Sequence, residues 1–217
     1  MGSLSGATLL VMAAAAVIAY FCGCFNGAVI VSKYILHDDV RNHGSGNAGL
    51  TNFHRTFGGK LTLVVIACDV VKAIVAILVG GWLFSMTDYA MAQWLVLAKY
   101  WAGLFCLLGH VFPCMFGFKG GKGILSGGTI AIMIDWRIAL VVWGGFIILV
   151  ALTRYVSLGS VWAGASFPFA TWFVFNNPVL TVFGFMLGGL VVYMHRANIK
   201  RLLSGTENKL SFKKKQK

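Results

Sequence analysis

Apolar residues in this chain gather into long runs, and the polar and basic residues fall in short loops and a tail between them. A membrane-spanning helix needs about 20 predominantly apolar residues, and the shortest usable ones about 17, because the hydrocarbon core is roughly 30 Å thick. Measured this way, the pattern predicts seven helices: Ala7–Ser32, Leu61–Phe84, Ala90–Phe112, Ile124–Ile134, Arg137–Thr153, Leu158–Phe175 and Pro178–Met194. The fourth is too short to cross an unthinned bilayer at about 1.5 Å per residue, so it is either a partial helix buried against its neighbours or one that borrows residues on either side.

Orientation follows from lysine and arginine. Lys33, Arg41, Arg55 and Lys60 lie in the first loop, Lys119 and Lys122 follow the third run, Arg154 follows the fifth, and a further basic stretch runs from Arg196 to Lys217. The loops between these, around Thr87-Asp88, Asp135-Trp136-Arg137 and Asn176-Asn177, hold one basic residue. The positive-inside rule then puts the N-terminus outside and the C-terminus in the cytoplasm. Seven crossings satisfy this alternation, and so do five with the fourth and fifth segments re-entrant; seven is the expectation. The expected architecture is an all-α integral membrane protein, a seven-transmembrane-helix bundle, with residues 1–208 as one membrane-embedded domain and 209–217 as a basic cytoplasmic tail.

Composition removes the other classes. Of the 217 residues 59% are hydrophobic and 11% charged, against about a quarter charged in a soluble domain. Disorder, a disulfide scaffold, a coiled coil and a typical cytosolic enzyme are excluded. The net charge of +12 would suit nucleic acid, but its placement is the cytoplasmic-face signature, so no nucleic-acid partner is expected. Cys22, Cys24, Cys68, Cys106 and Cys114 lie in or beside apolar runs without a CxxC pair and read as packing residues. The stretch from Leu4 lacks the basic region of a signal peptide, and Gly6 stands where myristoylation needs Ser or Thr.

This topology brings Asn42–Arg55, Gly109–Gly123, Arg154–Ser160 and His195–Glu207 to one membrane face, as expected of a site whose substrate is anionic and whose other half is lipid. In Gly109–Gly123, consecutive glycines offer backbone N–H groups to an anion, Lys119 and Lys122 supply charge, and a helix begins just after. It is a phosphate cradle in type but not a Walker A loop, since Phe116 occupies the first glycine position and Gly123 replaces the Ser/Thr. In Gly44–Arg55, small residues permit close approach, Ser45, Asn47, Thr51 and Asn52 offer hydrogen bonds, and Arg55 suits bidentate phosphate binding. Ser157 and Ser160 fit either helix capping or a ligand. Helical spacing puts His195, Asn198 and Arg201 or Lys200 near one face. Asp69 and Lys72, three apart in the second run, read as an intramembrane ion pair, structural in the first place and able to orient a basic group of the site.

Only six acidic residues are present, with no paired carboxylates in a plausible site, and no metal-spaced His/Cys/Asp cluster, GxSxG, H-E-x-x-H or H-x-x-x-x-D. Metal-dependent hydrolysis and ATP-driven transport therefore lack the residue patterns they use.

The combination resembles the bacterial membrane family of acyl-phosphate:glycerol-3-phosphate acyltransferases, over about residues 20 to 208. Gly44-Ser45-Gly46-Asn47 with Thr51-Asn52 and Arg55 is similar to its first motif. Gly109-His110-Val111-Phe112-Pro113 with Phe118-Lys119-Gly120-Gly121-Lys122-Gly123 is similar to its second, and Ser157-Leu158 with Ser160 to its third. His195–Leu202 with Gly205-Thr206-Glu207 is similar to its C-terminal segment. Leu50, Ala73 and Cys114 depart from the usual alanine, glycine and valine.

The resemblance implies acyl transfer from acyl phosphate to the sn-1 hydroxyl of glycerol 3-phosphate, yielding lysophosphatidic acid and phosphate at the cytoplasmic side of the bacterial inner membrane. No cofactor is implied; the partners are the two substrates and membrane lipids, and the oligomeric state stays open. Arg55, Lys122, His195 and Asn198 are the implied catalytic residues, holding glycerol 3-phosphate. Ser45, Gly120, Gly121 and a third-motif serine, Ser157 or Ser160, would line the donor phosphate hole. Gly46, Asn47, Thr51, Asn52, His110 and Lys119 complete the expected substrate-binding set. The proton acceptor is either His195 or the acceptor phosphate, with the cations beside His195 favouring the phosphate. The alternative function is a membrane transporter for an organic phosphate, coupled to protons through Asp69 and Lys72; a midplane site and inverted repeats would be its marks.

Overall fold

The computed structural model describes residues 5–87 and 92–210, without the side chains of 92 and 93. Within them every regular element is helical: α1 Gly6–Cys24, α2 Gly27–Ile30, α3 Leu50–Thr56, α4 Leu61–Ser85, α5 Ala92–Val111, α6 Ile124–Ile134, α7 Trp136–Thr153, α8 Val156–Phe175, α9 Pro178–Met194 and α10 Arg196–Leu203, with a π-helical turn Val31–Ile35 and 3-10 turns Val40–Asn42 and Cys114–Phe116. Five segments are long and apolar enough to cross a membrane: Gly6–Cys24, Leu61–Ser85, Trp94–Phe116, Trp136–Thr153 and Val156–Phe175. A sixth arises if α9 and α10, bent by 58° at His195, count as one span. The expected start at Ala90 and the tail residues 211–217 lie outside the described residues.

The chain divides at Ile134/Asp135 into two compact units. In the first, α1, α4 and α5 pack on one another, and α6 packs on α4 and α5. Glycine sets the separation of α1 and α5: a Cβ at Gly23 would fall on the Cys106 carbonyl, and one at Gly109 on the Tyr20 carbonyl. Such contact of helix backbones is how small residues bring helices together where lipid gives no hydrophobic drive. α6 keeps the short extent of its apolar run, 11 residues and so about 16 Å. Ser126, Gly128, Thr129, Ile130 and Ala131 are buried, as in the partial-helix reading.

The first run does not form the one helix expected over Ala7–Ser32. It stops at Cys24 because Asn26 caps a new turn, Oδ1 accepting from Val29 N (3.1 Å), while its Nδ2 donates to Ala48 O (3.1 Å). A fully buried asparagine must be satisfied, and here it is satisfied by breaking the helix.

In the second unit α8 packs between α7 and α9. Asp135 caps α7 by accepting from Arg137 N (2.8 Å), and Asn177 precedes Pro178 at the start of α9, a pattern suited to helix entry. Gly164 and Gly188 meet so closely that a Cβ on Gly188 would strike the Gly164 carbonyl. Large apolar side chains such as Leu10, Leu63, Leu140, Leu152 and Phe173 are left exposed along these helices, a surface that lipid covers and water does not favour.

Candidate functional site

The Val40–Arg55 segment is organised by Asn52, which is 5% exposed. Its Nδ2 lies 3.0 Å from each of the carbonyls of Val40, His43 and Asn47, and its Oδ1 accepts from Ser45 N at 3.0 Å. Asn52 was expected to meet substrate; its carboxamide is instead spent on the loop's own backbone. Gly44 and Gly46 turn the chain there at φ +56° and +69°, conformations that cost a side chain. Around this hub Ser45, Gly46, Thr51 and Arg55 remain exposed and Asn47 half-buried. Asn52→Ala strands a set of backbone groups, and each unsatisfied buried group costs about 1–3 kcal/mol. Hydrogen exchange over residues 43–52 should rise strongly in that variant.

The glycine–lysine loop differs from the expected cradle. Gly120 N donates to Val111 O and Gly121 N to His110 O, both at 3.1 Å. Those carbonyls belong to the last turn of α5, where four acceptors lack intrahelical partners, and the loop folds back to cap them. The N–H groups of Gly120 and Gly121 are thus engaged at the helix end; what these glycines supply is closeness. A Cβ at Gly120 would overlap the His110 carbonyl, and one at Gly121 the His110 ring. Lys119 is exposed and Lys122 half-buried.

Two contacts tie this loop to the Val40–Arg55 segment. Asn47 Nδ2 donates to Gly120 O (3.4 Å), and Arg41 Nη1 donates to Phe116 O (2.7 Å) and Lys119 O (3.4 Å). Arg41 is held in turn by Asp39, Nε donating to Oδ1 (3.0 Å) and Nη2 to Oδ2 (2.7 Å). Those hydrogen bonds hold the Asp39 carboxyl below its usual range.

Beneath the loop lies a buried charge cluster. Lys72 Nζ donates to Asp69 Oδ1 (2.7 Å), Phe25 O (3.0 Å) and His110 Nδ1 (2.7 Å), and Ser126 Oγ donates to Asp69 O (3.2 Å). The i,i+3 pair expected from the sequence is therefore formed. His110, expected to bind substrate, is 2% exposed and belongs to this cluster. Its position ending an apolar helix hid that burial, because the donor it meets comes from a lysine 38 residues earlier.

In the second unit, Asn198 Nδ2 donates to Glu207 Oε1 (2.9 Å) and Arg201 Nε to Glu207 Oε2 (2.7 Å). His195 Nδ1 lies 2.8 Å from Val191 O, an acceptor, so Nδ1 carries the proton and the Nε2 lone pair is the basic one in the neutral ring. Ser160 Oγ donates to Val156 O (2.9 Å) within α8, and buried Ser157 lies beside the Glu207 carboxyl. Burial would raise the Glu207 pKa, but the hydrogen bonds from Asn198 and Arg201 win and lower it. The clasp is therefore fully stabilising above the ordinary glutamate range of about 4.3 and is lost as pH falls through the lowered folded value. The melting temperature of wild type should exceed that of Glu207→Gln at neutral pH, and the gap should close in acid.

Sequence reading did not single out Asn26, Arg41 or Glu207 as organisers. For Arg41 the signal was Asp39 two residues before it; for Glu207, its place after His195–Arg201 in a chain with few acids. Asn26 inside an apolar run was the clearest sign that went unused.

The glycerol-3-phosphate acyltransferase family model matches residues 13–205. A relative of that name from Thermoanaerobacter sp. (strain X514) is 37% identical over 198 residues, covering 91% of this chain and 95% of the relative. Another from Clostridioides difficile (strain 630) is 39% identical over 199 residues, 92% and 95% of the two chains. Among solved structures, PlsY (YgiH), an integral membrane glycerol 3-phosphate acyltransferase, aligns in its glycerol 3-phosphate form with a TM-score of 0.78 at 29% identity, covering 95% of this chain and 96% of that one. Its lysophosphatidic acid form aligns at 0.74 with 31% identity and the same coverage.

Proposed function

The chain belongs to the glycerol-3-phosphate acyltransferase family, and from that membership we propose that it takes its acyl group from acyl phosphate and delivers it to the sn-1 hydroxyl of glycerol 3-phosphate. It is a membrane enzyme; the transporter alternative finds no support among relatives that bear an acyltransferase name. The single observation carrying the reading is the match over residues 13–205, which runs through both units and through all the motif residues except Thr206 and Glu207. It also supports treating 1–208 as one acyltransferase domain followed by a basic tail.

For topology, the proposal keeps seven crossings, the N-terminus outside and the motif loops in the cytoplasm at the inner membrane. The distribution of basic residues supports this orientation. α6 serves as the short, protein-buried crossing.

The chemistry needs little beyond placement. An acyl phosphate is a mixed anhydride with a good leaving group. The acceptor hydroxyl oxygen attacks the acyl carbon, the bond from that carbon to the phosphate oxygen breaks, and inorganic phosphate leaves. Arg55 and Lys122 neutralise phosphate charge, and His195 and Asn198 bind the acceptor, Asn198 being held in place by Glu207. Ser45, Gly46, Asn47, Thr51, Lys119, Gly120 and Gly121 shape the anion site of the first unit, and Ser157 and Ser160 of α8 are the substrate-binding serines of the second. The hydroxyl proton passes to the acceptor's own phosphate, an anionic acceptor carried by the substrate itself. Positioning of two reactants supplies as much as ~7–11 kcal/mol, and cationic donors at developing charge add to it.

Donor choice tests the proposal. Purified protein offered glycerol 3-phosphate with palmitoyl phosphate, palmitoyl-coenzyme A or palmitoyl carrier protein should form 1-acyl lysophosphatidic acid from the first alone, read by mass spectrometry. Efficient use of the thioesters instead would overturn the donor assignment.

A further inference from the structure

A lysine, an aspartate and a histidine buried together among apolar helices are costly, and the proposed reaction uses none of them directly. Lys72 cannot reach a substrate: its ammonium has three hydrogens, and three acceptors take them, Asp69 Oδ1, Phe25 O and His110 Nδ1. Because a lysine only donates, His110 Nδ1 must accept, which puts the ring's proton on Nε2. That edge of the ring faces Gly121, whose Cβ, if it had one, would collide with Nε2 and lie 3.0 Å from Ala48 O. Gly121 thus passes between the ring and the carbonyl of Ala48, and Ala48 O is itself held by Asn26 Nδ2 (3.1 Å).

The cluster therefore ties together α4, α5, α6 and the break after α1. Phe25 O is available to Lys72 because the first helix stops at Cys24. Asp69 and Lys72 come from α4, His110 from the end of α5, and Ser126 from the start of α6. The groups it supports, Ala48 and Gly121, sit within the segments carrying Arg55 and Lys122.

We infer that Asp69, Lys72 and His110 form a positioning element that fixes the backbone at Gly121 against Ala48, and through it the place of the Lys122 ammonium during acyl transfer. The inference rests on the acyltransferase reading. These residues act through the loop; none is a catalytic residue.

The test is a size exchange. Gly121→Ala pushes a methyl into the His110 ring and should lower kcat/KM for glycerol 3-phosphate by about 100-fold, the scale of a 1 Å misplacement. His110→Asn keeps an acceptor for Lys72 but withdraws the ring edge, and should lower it about 10-fold through lost support of the loop. The double variant His110→Asn/Gly121→Ala has room for the methyl and should recover about 10-fold over Gly121→Ala, a non-additivity expected of residues in contact. All are measured per molecule of monodisperse protein with palmitoyl phosphate as donor, so that a purely structural role would change yield and melting temperature but neither kcat nor KM. Lys72→Met should behave as His110→Asn or worse; should it fail to fold, the histidine–glycine pair still decides. Wild-type kinetics in folded His110→Asn, or a double variant no better than Gly121→Ala, would overturn the inference alone. No acceptor-dependent turnover by folded wild type would overturn the functional reading beneath it.

Discussion

Lys122→Ala and Arg55→Ala should each lower acyl transfer by about 10²–10³-fold or more in a protein that still folds. The size of the effect follows from what the reaction demands: two anions must approach, and Arg55 and Lys122 are the cations proposed to neutralise their phosphate charge. The survival of the fold follows from where the side chains sit. Arg55 is exposed on α3, and truncation of an exposed side chain away from special features usually stays within about 0.5 kcal/mol. Around Lys122 the loop is kept by the Gly120 and Gly121 N–H groups on α5 carbonyls and by Arg41 on Phe116 O, all of which an alanine at 122 leaves in place. The check is turnover per molecule together with a melting curve. A well-folded Lys122→Ala protein with near-normal activity would break the site assignment.

Asp69→Ala should be the most destabilising single change in the first unit, about 3–5 kcal/mol. The carboxylate is 1% exposed and, among the described residues, is the anion paired with the Lys72 ammonium. Its removal leaves a cation in an apolar interior facing a carbonyl and an imidazole, neither of which carries compensating charge. Asp69→Leu/Lys72→Met, which removes both charges at similar volume, should melt well above Asp69→Ala, because paired charges replaced together avoid the stranded ion. Thermal unfolding in detergent separates the two. Equal melting temperatures for Asp69→Ala and wild type would show that the pair carries no such weight.

The helices were legible because apolar length is a direct readout of the bilayer: α4, α6, α8 and α9 begin and end within two residues of the stretches marked in the sequence. The break at Phe25-Asn26 was not, since hydropathy averages over one asparagine while the partners that make its capping favourable, Val29 N and Ala48 O, are distant or local backbone groups. The site was legible in its residue types and less so in their roles. Asn52 and His110 carry the chemistry of ligands, yet the backbone of 40–52 consumes one and Lys72 the other. Gly120 and Gly121 were marked for their N–H groups, while the unmet carbonyls at the end of α5 claim those groups first. In each case a local motif competes with a neighbour's unsatisfied polar group, and that neighbour is invisible until the chain folds.

Acceptor-dependent acyl transfer from acyl phosphate is read from the release of inorganic phosphate from palmitoyl phosphate. Purified protein is assayed with and without glycerol 3-phosphate, in EDTA and without nucleotide or coenzyme A. The account predicts phosphate release that requires glycerol 3-phosphate and matches the lysophosphatidic acid formed. Folded protein that releases none, or releases it equally without the acceptor, would contradict it.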